Sequence, residues 1–373
     1  MDKVFNQPFS VLWRTALIRA PRLVPDFAIR FTSPDGPQPV VVQLPSRGRY
    51  TIPLYVFVPD DITPEEARSL PVLIDFHGGG FFQGSCMEQA PFCAQACREF
   101  RGVAISVDYR MGPINKFPTA IEDAEDVLSA LLDKDAKGYT ELRQGIENKI
   151  FYAWRDRADT LDSRALPENY PIGLDISRIA ISGFSSGGNL ALNLALSIKE
   201  PQEGAPWPSR IPQNYPYPIP LLLYYPSFDS RLLPSERTRP PQLPLGSNFW
   251  SDVSDALHPT YLPREQAGHP RASPGLAHIK DDGLHPQARM LLVPPELDTL
   301  AEQSEAWVKK VQEEGRADDL RVERFPGMKH GWTQFPDSML ETDEERSTKQ
   351  GIHNEAIAFV RGVWAGNEMV STS

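Results

Sequence analysis

The chain has few cysteines, little positive charge for its size and no long apolar run, and each shortage argues against a class of protein. Its 373 residues include 38 lysines and arginines against 49 aspartates and glutamates, for a formal net charge of −11. This balance disfavours nucleic acid and anionic membrane surfaces as partners. No apolar run approaches the roughly 20 residues that cross a bilayer, so we expect no membrane association.

The three cysteines are Cys86, Cys93 and Cys97. Their spacing fits no common metal site, so we predict free thiols that pack on a helix in a reducing compartment. The N-terminus lacks the apolar core of a secretion signal. We therefore expect a cytoplasmic protein with no metal and no cofactor, either as a monomer or as a homodimer.

The most informative stretch is Gly183 to Leu190, GFSSGGNL. It joins an apolar run at 178–182, which predicts a buried strand, to a second one at 190–196, which predicts a buried helix. A side chain at the tip of a tight strand-to-helix turn needs small neighbours two residues away on each side, and Gly183 and Gly187 flank Ser185 in this way. The pattern predicts that Ser185 is a nucleophile.

A second glycine-rich stretch, His77-Gly78-Gly79-Gly80, follows the apolar run 71–76. Consecutive glycines are costly to order unless the backbone itself is needed. We predict that the amides of Gly79 and Gly80, with that of Ser186, form an oxyanion hole. A histidine leading such a loop more often fixes the loop by hydrogen bonds, so we do not assign His77 as the base.

A serine nucleophile requires a base and an acid that orients the base. Asp298 follows the predicted strand 290–293 and precedes Thr299 to Glu302, which predicts a helical capping box. Thr299 would cap that helix, which leaves Asp298 as the acid, with Glu296 in reserve. His330 lies on a glycine-bracketed loop after the last predicted strand, 320–325, and is the candidate base.

Strands alternate with helices along most of the chain, which predicts an α/β fold with a mostly parallel sheet covered on both faces. Residues 1–38 are predicted to be a helical extension that belongs to a cap. Residues 39–373 are predicted to form the catalytic α/β domain, with a proline-rich cap insertion at about 227–289. Residues 133–175 are polar, and we predict an extended connection there.

Several motifs occur together and in a fixed order. They are His77 to Gly80, Asp108-Tyr109-Arg110, Phe117-Pro118 with Glu122-Asp123, Gly183 to Leu190, Ser273-Pro274, Asp298 and His330-Gly331. On these motifs the chain resembles the hormone-sensitive-lipase-like carboxylesterase branch of the α/β-hydrolase superfamily from about residue 71 onward, and the resemblance implies the α/β-hydrolase fold.

These residues together predict a serine carboxylic-ester hydrolase that acts through an acyl-enzyme. Phe81, Phe82, Phe184 and Trp332 are the candidate pocket residues, and they favour small or medium apolar or aromatic esters. Two alternatives remain at this point. The same three residues could serve acyl transfer, lactone opening or cyclisation in specialised metabolism, or the scaffold could be a non-catalytic small-molecule receptor.

Overall fold

An eight-stranded sheet lies at the centre of the computed structural model, which describes residues 7–20, 36–158, 171–199, 206–243, 248–281 and 283–366. Its strand order is β1-β2-β4-β3-β5-β6-β7-β9. Strand β2 is antiparallel to β1 and β4, and every other pair is parallel, so the predicted fold class is confirmed. The strands are β1 (Val40–Pro45), β2 (Thr51–Phe57), β3 (Leu70–Phe76), β4 (Val103–Val107), β5 (Leu174–Phe184), β6 (Ile219–Tyr224), β7 (Ala288–Val293) and β9 (Leu320–Val322).

Helices cover both faces of this sheet, which explains why β3, β4 and β6 are buried at every residue. Alternate strand residues enter two separate cores, one shared with α3, α4, α5 and α7 and the other with α2 and α8. Among the described residues, no helix has the length and apolarity to cross a membrane. The helices are α1 (Phe9–Arg19), α2 (Ala90–Phe100), α3 (Thr119–Leu132), α4 (Tyr139–Ala158), α5 (Ser186–Leu194), α6 (Asn248–Tyr261), α7 (Ala301–Glu313) and α8 (Asp343–Trp364).

The prediction of an extended connection at 133–175 is wrong in its first half, where α4 forms. The helix is mostly polar, and its buried residues form one stripe, each four positions after the last, at Leu142, Ile146, Ile150 and Trp154. That stripe packs in the same core as β1, and the Trp154 indole donates a hydrogen bond to the carbonyl of Ile62. Tertiary burial of one narrow face therefore stabilises a helix whose overall composition is polar.

Two helices from distant parts of the chain meet above the carboxyl end of the sheet. Ile18 of α1 packs in a small apolar cluster with Phe82 and with Val253 and Leu257 of α6. Arg19 at the end of α1 donates hydrogen bonds to the carbonyls of Phe82 and Gly112. The remaining residues of the predicted extension, 1–6 and 21–35, lie outside the described ranges, and the predicted domain boundaries stay predictions.

A second, two-stranded sheet is formed by β8 (Pro295–Leu297) and β10 (Phe325–Lys329), which run parallel. Leu297 pairs with Lys329 at its end. The residues that follow these two, Asp298 and His330, therefore leave the ribbon side by side.

Burial of His353 on α8 makes a pH-dependent contribution to stability. Desolvation beside Phe92 and Tyr224 and the positive charge of Lys349 lower the pKa of His353 to about 3, although the negative charge of Asp337 acts to raise it. The unfolded chain binds a proton below about pH 6.5 and the folded chain does not. We expect the free energy of unfolding to fall by up to about 1.4 kcal/mol per pH unit from pH 6.5 towards 3 through this group.

Urea titrations between pH 7 and pH 4 check this prediction. His353→Gln should have a smaller loss of stability towards acid than the wild type, because it removes the group that titrates only on unfolding. His278→Gln, at an exposed position, is the control and should retain the wild-type slope. An equal acid slope in His353→Gln and wild type would contradict the prediction.

Candidate active site

Ser185 lies at the tip of the turn between β5 and α5, with φ 55° and ψ −114°. Such a backbone conformation is strained for a residue with a side chain and is typical of the strand-to-helix turn predicted from the sequence. The flanking glycines allow the turn to close. A Cβ atom on Gly183 would lie 2.1 Å from the carbonyl oxygen of Gly187, and one on Gly187 would lie 2.0 Å from that of Phe76.

We expect Gly187→Ala to destabilise the protein by about 3 kcal/mol or more, because its methyl group would overlap backbone atoms that cannot move without opening the turn. Gly351→Ala is the matched control, since a Cβ there meets nothing within 4 Å and alanine favours the interior of α8. Thermal and urea unfolding of both variants checks the prediction. A Gly187→Ala protein as stable as the wild type would contradict it.

The structure brings the predicted nucleophile, base and acid into one hydrogen-bonded chain. The Nδ1 atom of His330 is 2.7 Å from Oδ2 of Asp298, and its Nε2 atom is 3.0 Å from Oγ of Ser185. Since an ionised carboxylate can only accept, Nδ1 carries the proton and Nε2 is left to accept from the serine hydroxyl. The ring of Tyr225 packs edge-on against His330 at 4.9 Å, and Asp298 is almost completely buried.

Asp298 also supports the start of α7, which corrects the predicted capping box. The helix begins at Ala301 instead of near Thr299, and its N-cap residue, Leu300, makes no side-chain capping hydrogen bond. Oδ1 of Asp298 accepts a hydrogen bond of 2.8 Å from the Leu300 amide. The carboxylate therefore uses one oxygen for the backbone and the other for His330. The reserve candidate, Glu296, accepts from the Gly327 amide instead.

The loop from His77 to Gly80 is held by the stacked rings of His77 and Tyr109. His77 is fully buried, and its Nδ1 donates to the Gly78 carbonyl at 2.7 Å. Its ring stacks on Tyr109 at 4.3 Å, and the Tyr109 hydroxyl donates to the His77 carbonyl. This confirms the interpretation of His77 as a residue that holds the loop.

The backbone amides assigned to the oxyanion hole are unused by the fold. Gly79 and Gly80 have φ values of 114° and 63°, which only glycine adopts readily. Across the described ranges, neither their amides nor that of Ser186 donates a hydrogen bond to another protein group. Gly80 and Ser186 line the same cavity as Ser185, whereas Gly79 does not contribute to that lining.

A cavity of about 200 Å³ opens at this point. Of the predicted pocket residues, Phe81 and Phe82 line it. A larger hollow, of about 680 Å³, lies elsewhere and is lined in part by Ser197, Arg231 and Lys280. The lining of the smaller cavity comprises Gly80, Phe81, Phe82, Ser185, Ser186, Ser227, Pro234, Arg237, Ser254, His258, Thr299, Leu300 and His330.

The prediction that Phe184 and Trp332 line the pocket is not supported, since neither contributes to this lining. Phe184 is the last residue of β5, and its side chain enters the core shared with α2 and α8, where it stacks on Tyr224 at 4.3 Å. Trp332 lies in the same core, 5.3 Å from Phe325. Adjacent strand residues point to opposite faces, so the residue next to the serine faces away from the cavity.

Sequence reasoning missed the polar wall of the cavity, above all Arg237 and His258. Both come from the proline-rich segment, where neither a helical nor a strand period is visible. Arg237 follows a short 3₁₀ turn at Pro234–Glu236, and His258 lies on α6. The only available signal was the presence of charged and imidazole side chains in a segment predicted to lie over the site.

The strand order, with a serine turn after β5 and a histidine loop after the last strands, defines the class of protein as an α/β hydrolase. A family model of the alpha/beta hydrolase fold matches residues 73–334. The chain belongs to that superfamily, and within it to the hormone-sensitive-lipase-like carboxylesterase branch. Its homologues and structural neighbours include hydrolases that act on carboxylic esters.

Curated and solved relatives agree with this assignment. An AB hydrolase superfamily protein of Schizosaccharomyces pombe is 25% identical over 286 residues, which are 75% of this chain and 67% of that protein. An ethyl acetate hydrolase of Pseudomonas putida is 25% identical over 307 residues, 81% of this chain and 78% of that protein. The crystal structure of a thermophilic carboxylesterase from a metagenomic library has a TM-score of 0.57 and 26% identity, and the match covers 91% of this chain and 95% of the other.

Proposed function

We propose that the protein hydrolyses small carboxylic esters through an acyl-enzyme on Ser185. The observation that carries the proposal is the continuous hydrogen-bonded chain from Asp298 through His330 to Ser185. Its geometry matches the roles of orienting acid, general base and nucleophile. The carboxylesterase relatives support the reaction class.

The mechanism follows from which atoms hold protons. Nε2 of His330 takes the hydroxyl proton as Oγ of Ser185 attacks the ester carbonyl, and Asp298 stabilises the resulting imidazolium. The amides of Gly79, Gly80 and Ser186 receive the negative charge that develops on the carbonyl oxygen. His330 then gives its proton to the leaving alcohol. Water repeats the sequence on the acyl-enzyme and releases the acid.

The size of the cavity supports a small substrate. Its volume of about 200 Å³ is below the roughly 300–1,000 Å³ usual for drug-sized ligands. Phe82 is buried against α1 and α6, and Phe81 stacks on Tyr261 at 4.6 Å. These contacts hold one apolar wall of the cavity rigid, which suits a short acyl or aromatic group.

Acyl transfer, lactone opening or cyclisation would use the same three residues. The reactions differ only in the nucleophile that reaches the acyl-enzyme, and analysis of products with and without added alcohols separates them. The receptor alternative is disfavoured because the nucleophile, base and acid are all present and in contact. A binding protein has no need of that chain.

Intact-mass labelling with a serine-directed fluorophosphonate tests the proposal. We expect one adduct on the wild type and none on Ser185→Ala, followed by turnover of p-nitrophenyl esters that declines as the acyl chain lengthens. Burial raises the pKa of Cys93 and Cys97, so these thiols should not compete for the reagent. A wild-type protein that takes no label would contradict the proposal.

A further inference from the structure

The cavity beside Ser185 is lined by a cation that forms no ion pair with any carboxylate of the described residues. Arg237 lines the same cavity as Ser185 and His330. Its Nε atom is buried without a hydrogen-bond partner, and across the described ranges its guanidinium forms neither a hydrogen bond nor an ion pair within 4.0 Å. The Arg237 side chain is partly exposed, but an N–H donor that is buried without a partner costs free energy, and an anion bound in the cavity would offset that cost.

The carboxylates around Arg237 are used by other groups. Asp229 holds Arg231 through two hydrogen bonds from Nε and one from Nη2. Asp255 accepts from the Ser235 amide, and Asp298 is shared between Leu300 and His330. Desolvation lowers the pKa of Arg237 although all three carboxylates act to raise it. The guanidinium nevertheless remains charged near neutral pH, since arginine titrates far above it.

His258 adds a second unsatisfied group to the same wall. It lines the cavity, and its buried Nδ1 atom has no hydrogen-bond partner. Burial and the neighbouring positive charge of Arg237 lower the pKa of His258 to about 4, although the negative charge of Asp255 acts to raise it. The ring is therefore neutral near pH 7, where Nδ1 or Nε2 can donate one hydrogen bond without adding charge.

We propose that Arg237 is a specificity-determining residue that binds a carboxylate carried by the substrate, so that the preferred esters are small and bear a free acid group. A guanidinium offers two parallel N–H donors that match a carboxylate. The anion would accept a hydrogen bond from the buried Nε atom of Arg237, which no described residue accepts, with His258 as an adjacent donor. The hydrophobic wall at Phe81 and Phe82 then faces the rest of the substrate. This inference rests on the proposed ester hydrolysis at Ser185 and adds the substrate class.

Stable pairs of substrates that differ only in charge test the proposal. In the first series, monomethyl succinate, monomethyl glutarate and monomethyl adipate are each compared with the methyl ester whose free acid is replaced by a primary amide. In the second, O-acetylglycolate is compared with O-acetylglycolamide. Hydrolysis is followed by the release of acid at constant pH. The first series places the carboxylate on the acyl side and the second on the alcohol side. We expect at least one carboxylate ester to exceed its amide partner in kcat/KM by about 10-fold or more.

The variants separate recognition from catalysis. Arg237→Gln should lower kcat/KM for that carboxylate ester by about 10-fold or more beyond any change that it causes in kcat/KM for the amide ester. Arg237→Lys should retain part of the preference, because it keeps the charge without the two-pronged geometry. Arg324→Gln, an exposed arginine outside the cavity that is paired with Glu305, is the matched control and should leave the preference unchanged.

Binding to Ser185→Ala supplies a readout that needs no turnover. Calorimetry with monomethyl glutarate and with methyl glutaramate should show tighter binding of the anion, and Arg237→Gln in the same background should abolish the difference. Equal binding of the two compounds, or equal losses of kcat/KM on both esters in Arg237→Gln, would overturn the proposal. If Ser185→Ala still hydrolysed the esters, the proposed mechanism would fail instead, whichever charge preference was found.

Discussion

Ser185→Ala should lose on the order of 10⁴-fold or more in kcat on any p-nitrophenyl ester that the wild type turns over. The substitution removes the nucleophilic oxygen 3.0 Å from Nε2 of His330 and leaves the backbone of the turn intact. Residual turnover would come from the remaining backbone donors and from substrate binding alone. Steady-state kinetics with active-site titration of the wild type measures the effect.

Two controls accompany this measurement. Ser129→Ala on α3, whose serine is outside the cavity lining, should keep wild-type turnover. Urea unfolding of Ser185→Ala should show a stability close to that of the wild type. Among the described residues, the Ser185 side chain forms a hydrogen bond only with His330. Turnover by Ser185→Ala within 10-fold of the wild type would refute the assignment of the nucleophile.

Asp298→Asn should lose about 10³-fold in kcat while remaining folded. The amide oxygen can still accept from the Leu300 amide, as Oδ1 does now. The amide nitrogen would face His330 and donate to Nδ1, which places the ring proton on Nε2, where it cannot accept from Ser185. The Asp298→Asn protein should therefore keep its fold but hold His330 in the tautomer that cannot act as the base.

Glu296→Gln is the matched control, since Glu296 is the nearby carboxylate that the sequence left in reserve. It contacts the Gly327 amide instead of the base, and the neutral amide can keep that hydrogen bond. We expect its kcat to stay within about 3-fold of the wild type. A larger loss in Glu296→Gln than in Asp298→Asn would reverse the assignment of the orienting acid.

The residues now placed together were predictable because their signals are local. Ser185 requires glycines two positions away on each side, and His77 to Gly80 requires backbone conformations that only glycine adopts readily. Asp298 and His330 were predicted from their places after strands, where parallel sheets collect functional groups. Such features depend on a few neighbouring residues and on chain order, both of which are visible in a single sequence.

The errors have a different origin. The side chain of Phe184 points away from Ser185 because neighbouring residues on a strand face opposite sides. The glycine-serine motif identifies Phe184 as a neighbour of the serine but does not indicate the direction of its side chain. Helix α4 depends on a four-residue stripe that becomes informative only once β1 is known to pack against it. Arg237 reaches the cavity through an aperiodic segment, and its lack of an ion-pair partner among the described residues depends on surroundings drawn from distant parts of the chain.

The separate β8–β10 ribbon has a consequence for protein engineering. Leu297 and Lys329 pair at its end. The next residues along the two strands, Asp298 and His330, are therefore placed next to each other by the strand pairing. The nucleophile arrives from the other sheet. A designer who transplants this chemistry can therefore treat the acid and base as one unit and the serine turn as another. The two units have to be placed so that His330 contacts Ser185.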